Sequence, residues 1–155
     1  MPAPADHARL IAPPPLIALA AILAGWGLRF LWPVPLWPWP HRWLPVAGCV
    51  AGALAFAPAA ALALGRAKTA ILPHHSTIAL VSAGPFRYTR NPLYLAMGLL
   101  VAGTAFAANS LAMLLMVVPW AVVMVRGVIV REERYLEEKF GDDYRAYCRR
   151  VRRWL

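Results

Sequence analysis

The chain has 155 residues, 61% of them hydrophobic, and a formal net charge of +9. Its mean hydropathy of +0.55 excludes an ordinary soluble domain of this size, which needs more polar surface to cover its core. The basic residues cluster beside apolar runs, so anionic lipid headgroups account for them and no nucleic-acid partner is expected.

Four apolar runs follow in order: Leu16 to Trp32, Val46 to Leu64, Leu93 to Ala108 and Leu111 to Val130. Each is close to the roughly 20 residues that a helix needs to span hydrocarbon, and shorter spans are tolerated when their flanks snorkel. Four such runs would leave a soluble protein almost no polar exterior. The expected fold is therefore all-α: a single polytopic membrane domain over residues 1–155, with four transmembrane helices (16–32, 46–64, 93–108, 111–130) and a C-terminal amphipathic cytoplasmic helix.

Arg9 precedes the first run, Arg66, Lys68, Arg87 and Arg90 lie between the second and third, and a dense basic set follows the fourth. The positive-inside rule then puts both termini and the middle connection in the cytoplasm. Ala107-Ala108-Asn109-Ser110 is the tight uncharged turn on the other side. The N-terminus has no convincing cleavage site, so the first span is expected to be retained.

The stretch from Trp32 to Trp43 is dense in Trp and Pro and reads as an extended connection whose indoles rest at the headgroup level. Pro73-His74-His75 lacks a nearby carboxylate or cysteine to complete a coordination set, so no metal site is expected. Cys49 and Cys148 face different compartments in this topology and form no disulfide framework.

Chemistry concentrates in two cytoplasmic segments, 80–94 and 131–153. In the first, Asn91-Pro92 reads as an N-cap followed by proline at the first helical position, so the third span starts there. Its unpaired N–H groups and the adjacent Arg90 suit an anion. Gly84-Pro85 makes a turn that brings Phe86, Tyr88 and Arg90 back over the helix start, with Tyr94 in the first turn. In the second segment, six of the seven acidic residues fall between Glu132 and Asp143. Glu132 and Glu133 add charge to the negative end of the fourth span. Beyond them Leu136, Phe140, Tyr144, Tyr147 and Val151 recur at helical spacing, and Gly141 is expected to kink that helix. Arg149, Arg150, Arg152 and Arg153 would hold the helix on the inner leaflet.

Taken together, Leu80-Val81-Ser82-Ala83-Gly84-Pro85-Phe86, Arg90-Asn91-Pro92-Leu93-Tyr94 and the later Glu132-Glu133, Leu136, Phe140-Gly141, Tyr144 and Tyr147 resemble two blocks of a known family. It is the isoprenylcysteine carboxyl methyltransferase family, in its short bacterial members, which are membrane enzymes that use S-adenosylmethionine. The resemblance covers the C-terminal half, from Leu80 to the end. It implies a bacterial inner-membrane enzyme that transfers a methyl group from S-adenosylmethionine to a lipophilic small-molecule acceptor entering from the bilayer. Val81, Gly84, Pro85, Phe86, Tyr88, Arg90, Asn91, Pro92, Tyr94, Glu132, Glu133 and Tyr144 would bind the cofactor. Arg90 would orient a carboxylate acceptor or meet the cofactor's own carboxylate. Glu133, or a tyrosine, would take the proton of an amine or thiol acceptor. No obligate protein partner is implied.

Two substitutions separate this chain from the eukaryotic members, which carry histidine at the positions of Asn91 and Ile78 and have more spans. An isoprenylated protein is therefore not the expected substrate. Two other readings predict different ligands: a nicotinamide-dependent lipid or sterol-type reductase, and a non-catalytic scaffold whose basic tail binds anionic lipid.

Overall fold

The computed structural model describes residues 10–36, 43–68 and 79–155. Arg9, Trp37 to Arg42, and the segment containing Pro73-His74-His75 and Ile78 lie outside the described residues. The described residues are helical or irregular, with no strand among them. Helix α1 spans Pro14–Leu31, α2 Trp43–Arg66 and α3 Pro92–Ala107. Next come α4 (Leu111–Leu115), α5 (Val117–Met124), a π-helical turn (Val125–Ile129) and α6 (Val130–Arg150).

Proline sets two of the starts. Pro14 and Pro92 occupy first-turn positions, where a missing N–H costs nothing and the ring presets φ. Asn91 precedes α3 as expected, but its side chain makes no capping bond. Its amide nitrogen donates instead to the Arg153 carbonyl at 3.0 Å, because the C-terminal segment lies within its reach. Ser110 does cap, accepting from the Met113 N–H. The break at Met116 lies one turn before Pro119, whose ring supplies no N–H for the carbonyl four residues back.

Three helical stretches are long and apolar enough to cross a membrane: Pro14–Leu31, Trp43–Arg66 and the 40-residue run Leu111–Arg150. The expected third span is apolar but short. Its 16 residues give roughly 24 Å of rise, against about 30 Å of hydrocarbon. Large apolar side chains on the outer faces of α1 and α2, such as Leu23, Phe30, Leu44, Leu54 and Leu62, are exposed. Such a girdle suits lipid and would be a liability in water.

Helix α3 is the packing centre. Small residues bring α2 onto it: a Cβ at Gly52 would come within 2.8 Å of Leu99, and one at Gly103 within 3.2 Å of Cys49. Close backbone approach of this kind is what holds helices together where lipid removes the hydrophobic drive. On another side, Tyr94 and Val101 join Trp120, Met124, Val128 and Ile129 in the main buried cluster, with Ile17, Ala21 and Trp154 against it. At the far end of the bundle, Val34 O accepts from Leu111 N at 2.9 Å and Asn109 Oδ1 from Leu36 N at 3.1 Å. These bonds tie the chain after α1 to the α3–α4 turn.

Helix α6 bends at Gly141, whose φ of 52° and ψ of −121° are non-helical. The expected kink is there. It turns Tyr144, Tyr147 and Val151 back into a second buried cluster with Leu80, Leu136, Phe140 and Cys148.

Candidate functional site

At the start of α3 the two chemical segments close around one cavity, about 800 Å³ counting its open mouth. The first segment enters as a 3-10 turn, Gly84–Arg87. Gly84 needs its φ of 60°, which a side chain would strain, and it lies against Ala63 of α2. The turn places Phe86 in the cavity wall, and its carbonyl accepts from the buried Tyr147 Oη at 2.8 Å.

Of the site residues expected from sequence, Val81, Phe86, Arg90, Asn91, Pro92, Tyr94, Glu132, Glu133 and Tyr144 all line this cavity. Three do not. Gly84 and Pro85 shape the turn behind the wall, with Pro85 buried, and Tyr88 is exposed. Tyr147 and Leu136, part of the helical stripe and of the second family block but not among the expected site residues, line it too, as do Leu64 of α2 and Leu93. Leu64 had no signal: it is one apolar residue in an apolar helix.

The charges pair more closely than two opposed ends. Arg90 Nη1 lies 3.2 Å from Glu133 Oε1, with both side chains largely buried. The same nitrogen donates to Cys148 Sγ at 2.7 Å. Arg153 grips Glu133 with both arms of its fork, Nε to Oε1 at 3.0 Å and Nη2 to Oε2 at 2.7 Å. Glu133, expected as a proton acceptor, thus has both oxygens committed to guanidinium groups. Breaking such a buried pair by removing one partner typically costs about 3–5 kcal/mol.

Glu132 is in a different situation. Its Oε2 accepts one hydrogen bond, from Tyr94 Oη at 2.9 Å, and no ion pair neutralises it among the described residues. Burial of its carboxyl in the cavity wall pushes its pKa up from 4.5 to about 7. The Tyr94 hydroxyl works against that rise and the neighbouring Glu133 charge adds to it. Burial likewise raises Tyr144, with its contact to Cys148 adding, and pushes Tyr147 up to about 12. Both phenols are therefore neutral donors near neutral pH.

The C-terminal segment seals the arrangement from behind. Arg152 O accepts from Arg90 N at 2.9 Å, and Arg153 O from Thr89 Oγ1 at 2.9 Å and Asn91 Nδ2 at 3.0 Å. Three consecutive residues before α3 are thereby fixed by two carbonyls more than sixty positions away. Arg90 Nε is left buried without a partner. A buried donor without a partner is uncommon in a folded protein. Among the described residues no group of three or more His, Cys, Asp or Glu side chains has the geometry for a metal ion.

The phospholipid methyltransferase family pattern matches residues 41–143, from the start of α2 to just past the kink in α6. A Haemophilus influenzae protein described as uncharacterized is 49% identical over 57 residues, 37% of this chain and 89% of that protein. The matched range includes both Arg90 and Glu132 of the cavity lining. The chain belongs to the phospholipid methyltransferase family and is an integral membrane protein of a methyltransferase kind.

Proposed function

We propose that the protein transfers a methyl group from S-adenosylmethionine to a lipophilic small molecule that reaches the cavity from the bilayer. The observation that carries this reading is the pairing of a buried, unpartnered Arg90 Nε with a singly bonded Glu132 carboxylate across one cavity. One group suits an anion and the other a cation or an acidic proton. The donor set therefore fits a zwitterionic cofactor, and Phe86, Val81 and Leu64 offer apolar wall for its flat base. When bound, the cofactor supplies an electrophilic methyl group on its sulfonium.

The residues of the chain then have separate tasks. Arg90 holds the donor's carboxylate. Tyr94 and the first turn of α3 set the floor on which donor and acceptor align, and alignment alone accounts for much of such a rate enhancement. Glu132, with a pKa near neutrality, accepts the proton of an amine or thiol acceptor. Glu133 fixes Arg90 in place. In this reading α3 is the third of four spans, shortened because Asn91 and Ala108 already lie at polar boundaries, and the cavity faces the cytoplasm by the distribution of basic residues.

Calorimetric titration of the detergent-purified protein with S-adenosylmethionine tests the reading, followed by transfer of a labelled methyl group into a membrane extract. Binding that is lost in Arg90→Ala is expected. An unaltered protein that neither binds the donor nor labels any lipid-soluble product would sink it. Glu132→Gln sorts the acceptors: turnover of an amine or thiol falls by about 10²–10⁴, whereas a carboxylate acceptor, having no proton to lose, is little affected.

A further inference from the structure

We propose that Arg153 is a positioning residue: by taking up Glu133 with both arms of its guanidinium, it leaves Arg90 with net positive charge for a carboxylate in the cavity. The inference rests on the methyl-donor reading and deepens it. The residue lies ten positions beyond the end of the family match at residue 143 and does not line the cavity, so any effect on ligand must pass through Glu133.

The geometry is asymmetric. Glu133 receives two charge-assisted bonds from Arg153, at 3.0 and 2.7 Å, and one longer contact from Arg90 at 3.2 Å. A planar fork meeting both carboxylate oxygens is the strong form of this pair. With Arg153 absent, one carboxylate faces one guanidinium and Arg90 is neutralised. With Arg153 present, two guanidinium groups share a single carboxylate, and the excess charge lies on the member that faces the cavity and has an unpartnered Nε. The position of Arg153 is itself specified. Its carbonyl accepts from Thr89 and Asn91, and the adjacent Trp154 packs against the main buried cluster, so the side chain is delivered to Glu133 by an anchored backbone.

The experiment compares two ligands on the full-length protein in detergent: S-adenosylhomocysteine, and its decarboxylated analogue, which keeps the ammonium and lacks only the carboxylate. For the unaltered protein, the first is expected to bind more tightly. Arg153→Gln weakens the carboxylate-bearing ligand about tenfold and the decarboxylated one less than twofold. Arg153→Lys, which supplies charge without the fork, loses less than Arg153→Gln. The double variant Glu133→Gln with Arg153→Gln recovers most of the loss, because the carboxylate that quenches Arg90 is gone and Arg90 keeps its charge at the cavity. Equal weakening of both ligands, no weakening of either, or failure of the double variant to recover overturns the inference while leaving the donor reading intact. An unaltered protein that binds neither ligand overturns the donor reading and this inference with it.

Discussion

Tyr94, in the first turn of α3, donates its phenolic hydrogen to Glu132 Oε2 at 2.9 Å, and this bond couples the floor of the cavity to its one carboxylate free of an ion pair among the described residues. A donor aimed at a carboxylate favours the charged form. Replacing Tyr94 by Phe therefore raises the pKa of Glu132 above its present value of about 7. A hydrogen bond to a charged group is worth ~1.5–3 kcal/mol, and about 1.4 kcal/mol corresponds to one pH unit. The acidic limb of the pH–rate profile for an amine or thiol acceptor should move to higher pH by about one to two units in Tyr94→Phe. A limb that stays in place would show that Glu132 does not titrate in the reaction.

The same carboxyl ties stability to pH. Its pKa is raised on folding from 4.5 to about 7, so between those values the folded protein binds more protons than the unfolded chain. Stability then falls as pH rises through that window and levels off above it. In Glu132→Gln that decline should be absent. Thermal inactivation of the detergent-solubilised protein between pH 5 and 8 measures the difference, which is the reverse of what a salt-bridged carboxylate would give.

Gly141 turns the second half of α6 back onto the cavity with a backbone conformation that side chains rarely adopt. A Cβ there would touch nothing within 4 Å, so the cost of Gly141→Ala is backbone strain alone, about 1–3 kcal/mol. If the chain relieves that strain by straightening, Tyr144 and Tyr147 leave the wall. Gly141→Ala should therefore lose donor affinity out of proportion to its loss of stability, as titration beside a melting curve would reveal.

The sequence made the frame of this site legible and hid its closure. Proline marked the start of α3, and glycine marked the turn at Gly84 and the bend at Gly141, because each restricts or frees φ locally. The placement of Arg90 near Glu133 followed from two motif segments flanking one apolar hairpin. What stayed hidden was the choice among Arg149, Arg150, Arg152 and Arg153. In a row of arginines with identical local chemistry, only the fold decides that Arg153 meets Glu133. Asn91 was misjudged in detail for the same reason, since its cap bond lost to a carbonyl sixty-two residues away. The split between Glu132 and Glu133 was equally non-local: adjacent on the chain, they point to Tyr94 and to two guanidinium groups.

Helix packing around α3 is tight enough to test. An added Cβ at Gly98 would lie 2.8 and 2.9 Å from the ring of Trp120, which is 5% exposed and part of the main buried cluster. Gly98→Ala should destabilise by about 1–3 kcal/mol through overpacking. Gly27→Ala, in α1 with nothing within 4 Å, should be neutral or gain slightly from helix propensity. Melting curves of the pair separate packing from propensity, and equal behaviour would contradict the α3–α5 contact.

Thr89 is fully buried and its hydroxyl joins two chains of contact, donating to Arg153 O at 2.9 Å and accepting from Asn91 N at 3.2 Å. Thr89→Val keeps the shape and removes both bonds. It strands the Asn91 N–H in a buried position, at a cost of about 1–3 kcal/mol. The loss falls on the C-terminal segment, whose Arg152 and Arg153 carbonyls are engaged with Arg90, Thr89 and Asn91, and that engagement is expected to slow trypsin there. Limited digestion followed by mass spectrometry should show faster cleavage after Arg152 and Arg153 in Thr89→Val, with Thr89→Ser close to the unaltered protein. Cleavage at equal rates in all three would mean that the segment is held by Trp154 and the Arg153–Glu133 fork alone.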